Sequence, residues 1–166
     1  METLVKRAQK GDAEAFISLI EENKMSLQRI AFGYLGNDED VADAMQDTIL
    51  NAFEHISTLK KSWYFRTWLV RILINNCTRI YRQSRKHIGF DEQVEMAACQ
   101  MDCADIEFQE LLRSLPEDSR IIFQLYFGEQ FTTKEIAAIL DIKENTVKSK
   151  IHRGKKQLFE ELQNGR

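Results

Sequence analysis

The most distinctive chemistry in the sequence lies near its carboxyl end, where basic and short polar side chains crowd one predicted helix. Ser149, His152 and Arg153 stand at positions i, i+3 and i+4, so they share one face of a helix. Such side chains read base edges in the major groove, where an arginine can make a bidentate contact with guanine. Neighbouring lysines would neutralise phosphates, which positions a protein without reading sequence. These lysines are Lys148, Lys150, Lys155 and Lys156.

A short helix and a turn precede this basic helix. Thr132 and Glu135 form a capping-box pattern, which predicts a helix start. Residues 141–143 then form the predicted turn. The apolar positions are Ile136, Ala137 and Leu140 in the first helix and Val147, Ile151 and Leu158 in the second. A capped helix, a tight turn and a longer basic helix indicate a DNA-binding helix-turn-helix.

A second candidate face lies on a long helix predicted from about Trp63 to Lys86. Polar residues recur on one side of it at spacings of three or four: Arg71, Asn75, Arg79, Arg82 and Lys86. Aromatic and basic residues mix at its start, as Trp63, Tyr64, Arg66 and Trp68. Because aromatic rings stack on unpaired bases, the cluster indicates a contact with single-stranded DNA. Two plainer interpretations stay open: the stripe is a solvated surface, and Trp68 belongs to the core with Phe65.

An acidic edge runs along another predicted helix, which opens at Asp38. Its members are Glu39, Asp40, Asp43, Gln46 and Asp47, beside Asp38 at the helix start. The opposite side is an apolar stripe, made of Val41, Met45, Thr48, Ile49, Ala52, Phe53 and Ile56. No pocket is evident from the spacing. The edge therefore favours a solvated or partner-binding surface over a pair of catalytic carboxylates.

Signals for enzymatic chemistry are weak throughout the chain. The seven glycines are scattered and form no phosphate-cradling loop. The three histidines, His55, His87 and His152, fall in separate predicted elements. The cysteines, Cys77, Cys99 and Cys103, are odd in number and are expected to be free thiols. We therefore expect no catalytic residue, no metal site and no cofactor.

The charge of the chain is unevenly distributed. The net charge is −3, yet residues 87–118 alone carry nine acidic side chains and one basic side chain. Both flanking segments are mildly basic, so the overall acidity does not exclude DNA as a partner. Residues 88–105 also lose helical periodicity, which is typical of a linker. The pattern predicts two domains, at residues 1–87 and 106–166.

Each domain is predicted to be helical. Only one proline occurs, at Pro116, and the chain shows helical periods without the alternation of strands, so the fold class is all-α. Charged residues interrupt every apolar run before membrane-spanning length. The first ten residues lack the continuous apolar core of a secretory signal, so we expect a cytoplasmic protein without membrane insertion.

Several short segments carry a family resemblance together. They are residues 38–43 and 46–48; Trp68, Leu69, Arg71, Ile72 and Asn75; residues 115–116; and residues 135–137 and 146–149 with Arg153. In order and spacing they resemble the extracytoplasmic function (ECF) sigma factors of bacterial RNA polymerase, over nearly the whole chain. A match across two domains is far more specific than a helix-turn-helix alone.

The resemblance implies a division of labour between two sigma domains. A region-2 domain at residues 1–87 would bind core polymerase and melt the minus-ten promoter element, and a region-4 domain at residues 106–166 would read the minus-thirty-five element as duplex. The helix with the acidic edge would dock on the clamp helices of the β′ subunit through Asp38, Asp40, Asp43, Gln46 and Asp47. The chain would also contact the β flap. The acidic linker would thread toward the polymerase active centre.

The resemblance also implies particular DNA contacts and a regulator. Minus-ten contacts would come from Trp63, Tyr64, Arg66, Trp68, Arg71, Asn75, Arg79 and Arg82. Minus-thirty-five contacts would come from Lys148, Ser149, Lys150, His152, Arg153 and Lys156. Residues 60–64 match a base-capture loop that varies within the family, so they do not indicate which promoter base is captured. Members of this family are usually held inactive by an anti-sigma factor, commonly membrane-anchored and responsive to envelope stress.

Two other interpretations remain open at this point. In the first, the chain is a stand-alone helix-turn-helix regulator, and residues 1–86 form a dimerisation or sensing domain. The second is a helical enzyme that uses the acidic helix. The sigma interpretation is favoured because a sensing domain needs neither the basic stripe nor the aromatic cluster, and no spacing suggests a catalytic pocket.

Overall fold

A computed structural model describes residues 1–87 and 102–165, which belong to two separate compact units. Unit 1 contains the first range and unit 2 contains the second. The described residues form helices and no strand, so the predicted all-α class is confirmed. None of these helices is long and apolar enough to span a membrane.

Unit 1 consists of four α-helices. They are α1 (Glu2–Gln9), α2 (Ala13–Leu35), α3 (Asp38–His55) and α4 (Phe65–His87). Two short 3-10 turns, Ile56–Thr58 and Ser62–Tyr64, lie between α3 and α4. The sequence pattern did not predict α1, because only Val5 and Ala8 of its eight residues are buried. A helix this short depends on packing rather than on its own propensity.

The sequence predicts the two ends of α2, with Asp12 as N-cap and Gly36 as the residue that stops the helix, and both caps are confirmed. The side chain of Asp12 accepts a hydrogen bond from the backbone N–H of Ala15 at 3.0 Å. This bond and the hydrogen bond from Arg7 lower the pKa of the Asp12 carboxyl group. At the other end Gly36 adopts φ +76°, a left-handed conformation that glycine takes without steric cost.

The core of unit 1 forms where α2, α3 and α4 meet. Its largest fully buried side chains are Leu19, Leu27, Ile30, Phe65, Leu69 and Leu73. The helical period of α4 also predicts Trp68 and Ile72 as core positions, but both are only half-buried. Phe53, predicted on the apolar stripe of α3, is 58% exposed, and its ring meets Phe16 edge-on at a centroid distance of 5.2 Å.

Unit 2 also contains four α-helices. They are α5 (Cys103–Leu112), α6 (Glu117–Phe123), α7 (Thr133–Leu140) and α8 (Glu144–Asn164). A π-helical turn, Gln124–Gly128, continues α6. Phe123 packs with Leu112 and Leu115, against partly buried Phe108 and Leu158. This cluster anchors the long helix α8 to the rest of the unit.

The first described helix of unit 2 begins a few residues before the predicted domain start. Helix α5 begins at Cys103, whereas the linker was expected to extend to Asp105 and the domain to begin at Ile106. The helix includes these residues because Asp102 holds an extended N-cap backbone and its carbonyl accepts from the Ile106 N–H at 3.1 Å. The rest of the expected linker, including Cys99, lies outside the described residues.

Candidate nucleic-acid interface

Helices α7 and α8 of unit 2 form the predicted helix-turn-helix. The Thr132 hydroxyl accepts from the backbone N–H of Glu135 at 3.2 Å, and the Glu135 carboxylate accepts from the backbone N–H of Thr132 at 2.8 Å. The capping box is therefore confirmed. Helix α7 ends at Leu140. Its C-cap residue Asp141 has φ +54° and turns the chain, and α8 begins three residues after it, at Glu144.

Buried apolar side chains hold α8 in place. Val147 and Ile151 are buried as predicted, while in α7 it is Ile139 rather than Leu140 that joins Ile136 in the core. Gly154 is a packing residue that sequence reasoning missed. A Cβ atom there would lie 2.5 Å from the buried ring of Phe123, so only a glycine at this position allows α8 to pack this closely against α6.

The outward face of α8 carries the predicted duplex-reading side chains. Ser149, His152 and Arg153 are all exposed, as are Lys148, Lys155 and Lys156. The Arg153 Nε–H points back toward the Ser149 carbonyl oxygen at 3.4 Å, so the two residues are direct neighbours. An exposed helix face of this width and chemistry fits the major groove of DNA.

Lys150 does not belong to this open face. Its side chain is only 21% exposed, and its ammonium group forms an ion pair with Asp118 in the first turn of α6. The ion pair lowers the pKa of the Asp118 carboxyl group. The expected phosphate contact of Lys150 therefore competes with an internal bond between α6 and α8, which the spacing along α8 alone did not reveal.

A polar contact also joins α7 and α8, the two helices of the motif. Glu144 accepts a hydrogen bond from the Thr133 hydroxyl at 2.8 Å and lies 3.1 Å from the Lys148 ammonium. These two donors lower the pKa of Glu144. Lys148 is thus also paired, although it remains exposed.

Two polar residues in the first turn of α8 add to the candidate face. Asn145 is exposed and Thr146 is half-buried, and they precede Ser149 by four and three residues. They therefore lie on the same side of the helix, at the end that recognition helices direct toward base edges. Extending the i−3 and i−4 spacing back from Ser149 is the signal that would have found them.

The polar stripe on α4 of unit 1 is exposed as well. Arg71, Asn75, Arg79 and Arg82 all face solvent, whereas the next residue after Asn75 turns inward. The buried Asn76 amide donates to Thr48 Oγ1 and to Asn51 Oδ1, each at 3.1 Å. Asn76 therefore ties α4 to α3 and leaves Asn75 available for a partner.

The acidic edge of α3 and the stripe of α4 meet directly. Arg79 forms an ion pair with Asp47 at 2.5 Å. Asp40, half-buried, accepts hydrogen bonds from Asn37 at 2.9 Å and from the Ser84 hydroxyl at 3.3 Å. The five predicted polymerase-binding residues thus divide into two that hold the unit together, Asp40 and Asp47, and three that are exposed, Asp38, Asp43 and Gln46.

The aromatic cluster is more dispersed than its spacing suggested. Trp63 is 63% exposed, with the Lys61 ammonium 5.5 Å from its ring centroid and the ring of Tyr64 at 5.7 Å. Trp68 is half-buried against Phe65. Only Trp63 offers a widely open ring.

Arg66 is not brought together with the stripe. It lies nine residues before Asn75, which places it on the opposite side of the helix. Its guanidinium group reaches the Ser26 hydroxyl of α2 at 3.5 Å. Arg66 therefore fits a contact between α2 and α4 better than the minus-ten face.

The thiols differ in environment. Burial raises the pKa of Cys77 to about 12, so this thiol stays protonated and unreactive at neutral pH. Cys103 is exposed at the start of α5. Both are free cysteines.

Comparison with known proteins matches both units to one family. Residues 19–87 match the family model for sigma-70 region 2, and residues 105–158 match the model for sigma-70 region 4. The two models follow one another in one chain, on the two units whose exposed faces are described above. The chain therefore belongs to the sigma-70 family of transcription initiation factors.

Relatives along the full length narrow the assignment. The chain is 26% identical to the ECF RNA polymerase sigma factor SigW of Bacillus subtilis, over 95% of this chain and 94% of the relative. It is 28% identical to the ECF RNA polymerase sigma-E factor of Escherichia coli K12, over 98% and 94%. Within the family, the chain is an ECF sigma factor.

Solved structures share the fold. A structure of CnrH in complex with the cytosolic domain of CnrY matches with a TM-score of 0.75 at 23% identity, over 98% of this chain and 97% of the other. The sigma factor RpoE, solved with the anti-sigma factor NepR from Bartonella quintana, matches with a TM-score of 0.78 at 23% identity, over 93% and 100%.

Proposed function

We propose that this ECF sigma factor binds core RNA polymerase and directs it to promoters through two separate DNA contacts. Unit 2 would read the minus-thirty-five element as duplex, and unit 1 would open the minus-ten element and hold one of its strands. The observation that carries this proposal is that two chemically different exposed faces occur on one chain, each on the unit that matches the corresponding sigma region.

The face of α8 supports the duplex assignment. We assign base reading to Ser149, His152 and Arg153, with Asn145 as an addition, because these side chains are exposed on one side of the helix. Lys148 and Lys156 would hold phosphates. Lys150 would do so only after leaving Asp118.

The face of α4 and the loop before it support the minus-ten assignment. Unstacking a base costs a few kcal/mol, so a protein that opens duplex DNA must return that energy through stacking and hydrogen bonds. The open ring of Trp63 can stack, the Asn75 amide can hydrogen-bond, and Arg71 and Arg82 can hold the backbone. Tyr64 and Trp68 are half-buried and would mainly support this surface.

The acidic edge of α3 supports a contact with core polymerase. We assign the docking on the β′ clamp helices to Asp38, Asp43 and Gln46, which are exposed, with Asp47 joining when its bond to Arg79 opens. A further contact with the β flap would complete the holoenzyme. The protein would thus act as an initiation factor in the cytoplasm and perform no catalysis of its own.

Regulation by an anti-sigma factor is part of the proposal. Two structural relatives, CnrH and RpoE, were solved with the cytosolic domain of CnrY and with the anti-sigma factor NepR. By analogy, a cognate anti-sigma factor, in this family often membrane-anchored, would cover the polymerase-binding surface until a stress signal releases the sigma factor.

In vitro run-off transcription tests the proposed function. Purified bacterial core polymerase would be incubated with a pooled genomic promoter library, with and without the protein. New starts at a shared two-element motif, present only when the protein is added, are the expected result. Tight operator binding by the protein alone as a dimer, with no new starts, would instead identify a stand-alone regulator.

A further inference from the structure

The amino-terminal helix α1 holds the loop between α3 and α4 through one side chain. The Nε2 amide of Gln9, the last residue of α1, donates to the Ile56 carbonyl at 3.1 Å and to the Leu59 carbonyl at 2.7 Å. Both bonds are partly shielded from solvent and link residues nearly fifty positions apart in sequence. A single amide therefore fastens two points of the loop.

The loop that Gln9 fastens is buried at its base and open at its tip. Ile56 and Leu59 are buried, while Lys60, Lys61 and Trp63 are exposed. The Ile56 carbonyl also accepts from the backbone N–H of Leu59 at 3.2 Å, so both of its lone pairs are used. The base of the loop is thus held by apolar burial and three hydrogen bonds, and the tip presents one aromatic ring.

A second, weaker contact joins the same two segments. The Ser62 hydroxyl lies 3.5 Å from the Glu2 carboxylate at the other end of α1. Helix α1 therefore borders the loop along its whole length, from Glu2 beside Ser62 to Gln9 beside Ile56 and Leu59.

We propose that Gln9 is a positioning residue for minus-ten recognition, which presets residues 56–64 so that Trp63 meets the unpaired base. This inference rests on the proposed function of that loop. A loop already held in its binding conformation loses less conformational entropy when it captures its ligand. Gln9 would touch no DNA and would act only through the loop.

Three variants of the full-length protein separate positioning from stability. Gln9→Met keeps the length of the side chain and removes both donors. Gln9→Lys keeps donors that can reach the carbonyls. Ile30→Val, at a fully buried position of α2, lowers the stability of unit 1 by a comparable amount without touching the loop.

The measurement is promoter opening by holoenzyme, with 2-aminopurine fluorescence in the minus-ten element. Four promoters would carry each base in turn at the captured position. Gln9→Met should slow opening about tenfold on the preferred promoter and reduce the preference among bases, because the two lost hydrogen bonds no longer hold the loop. Gln9→Lys should retain most of the preference, and Ile30→Val should leave it unchanged.

A structural readout follows the loop without DNA. In a Trp68→Phe background, Trp63 is the only tryptophan, and its fluorescence anisotropy should fall in Gln9→Met but not in Ile30→Val. Should Gln9→Met prove unfolded, Gln9→Lys and Gln9→Glu replace it as a pair. Both are long and charged, yet only lysine can donate, so only glutamate should lose base preference.

The possible outcomes separate the positioning role of Gln9 from the proposed sigma-factor function on which it rests. If the wild-type protein opens no promoter with core polymerase, the proposed function fails and the inference falls with it. If the wild-type protein opens promoters and Gln9→Met matches it in rate, base preference and Trp63 anisotropy, only the positioning role of Gln9 is wrong.

Discussion

Units 1 and 2 each contain one cation that was predicted to contact DNA and that instead forms an ion pair with a neighbouring helix. In unit 1 the pair is Arg79 with Asp47, and 46% of the arginine side chain remains exposed. In unit 2 it is Lys150 with Asp118, and the lysine is half as exposed. Asp47 belongs to the proposed polymerase contact, whereas Asp118 has no such role. The pair in unit 1 therefore couples two surfaces, and the pair in unit 2 is an internal brace.

The units also differ in how they turn the chain. Among the described residues of unit 1, positive φ angles occur at two glycines, Gly11 and Gly36. Unit 2 places Gln130 and Asp141 at φ +59° and +54°, on either side of α7. Non-glycine residues pay a steric cost in this region, so the helix-turn-helix unit contains strain among its described turns that unit 1 does not.

The largest expected effect is on the packing of unit 2. Gly154→Ala would place a methyl group 2.5 Å from the buried Phe123 ring, and overpacking of this kind costs about 1–3 kcal/mol or more. Both tryptophans, Trp63 and Trp68, lie in unit 1. Thermal unfolding followed by far-UV circular dichroism should therefore show an early transition that tryptophan fluorescence does not report.

Gln163→Ala, an exposed change near the end of α8, is the control for this experiment and should leave both signals unchanged. Equal loss of both signals in Gly154→Ala would show that the two units do not unfold separately, which would contradict the comparison between them.

Gly154 also illustrates what the sequence could and could not predict. The longer helices, the capping box at Thr132 and the caps of α2 at Asp12 and Gly36 follow from local chemistry, which a sequence pattern can reveal, whereas the short helix α1 was not predicted. The contact between Gly154 and Phe123 joins residues thirty-one positions apart and depends on how closely α6 and α8 approach each other. No local pattern encodes that distance.

The candidate site shows the same division. Helical spacing correctly grouped Ser149, His152 and Arg153 on one exposed face, because that face depends only on the period of α8. Spacing could not reveal that Lys150 meets Asp118, or that Arg66 turns toward α2, since both depend on neighbouring helices. Polar contacts between helices are therefore the main source of error when a site is predicted from one helix at a time.

Removing the arginine of the duplex face should have the next largest effect. Arg153→Ala should reduce discrimination between the correct and altered minus-thirty-five bases by about 1–3 kcal/mol, since a bidentate base contact is lost. Holoenzyme binding to a panel of single-base promoter variants measures this. The matched control is Lys156→Ala, which should weaken binding equally on all sequences and reduce the salt dependence by about one phosphate contact. Uniform weakening by Arg153→Ala would refute its base-reading role.

The corresponding change in unit 1 should affect a different step. Asn75→Ala should slow promoter opening about tenfold, because one hydrogen bond to an unpaired base is lost, while duplex binding stays at the wild-type level. Stopped-flow 2-aminopurine fluorescence gives the opening rate, and a gel-shift assay gives duplex binding. Gln83→Ala removes another exposed amide of α4 and serves as control. A loss of duplex binding in Asn75→Ala equal to that in Arg153→Ala would disprove the division of labour.

Relief of backbone strain should be detectable in unit 2. Gln130→Gly should stabilise this unit by about 0.5–1 kcal/mol. The left-handed conformation costs a residue with a side chain roughly 1–2 kcal/mol, and the larger conformational entropy that glycine loses on folding offsets part of this gain. Urea unfolding followed by circular dichroism gives the change. Gly36→Ala in unit 1 is the converse experiment and should destabilise that unit. Lower stability of Gln130→Gly would mean that its side-chain contacts outweigh the strain.

The smallest expected effect tests the internal brace. The Lys150 ammonium holds the pKa of Asp118 below its usual 3.8, so the pair stabilises the folded state above that pH and its contribution disappears as pH falls through the lowered folded-state pKa. Asp118→Asn should therefore lower the free energy of unfolding by less than about 1 kcal/mol at pH 7, because the carboxylate is largely exposed. At a pH where Asp118 is protonated in the wild-type protein, the two proteins should be equally stable. Thermal unfolding of both proteins between pH 7 and pH 2 measures the difference.

The same variant sharpens the contrast between the two ion pairs. Asp118→Asn frees Lys150 for a phosphate, so holoenzyme binding to the minus-thirty-five duplex should tighten slightly and the logarithmic salt slope should steepen by about 0.9. Asp47→Asn also frees a cation, Arg79, but removes a carboxylate from the proposed polymerase contact, so it should weaken association with core polymerase. If both variants behaved alike in DNA binding and in core binding, Asp47 would be a brace of the same kind as Asp118, and the acidic edge would reduce to its three exposed residues.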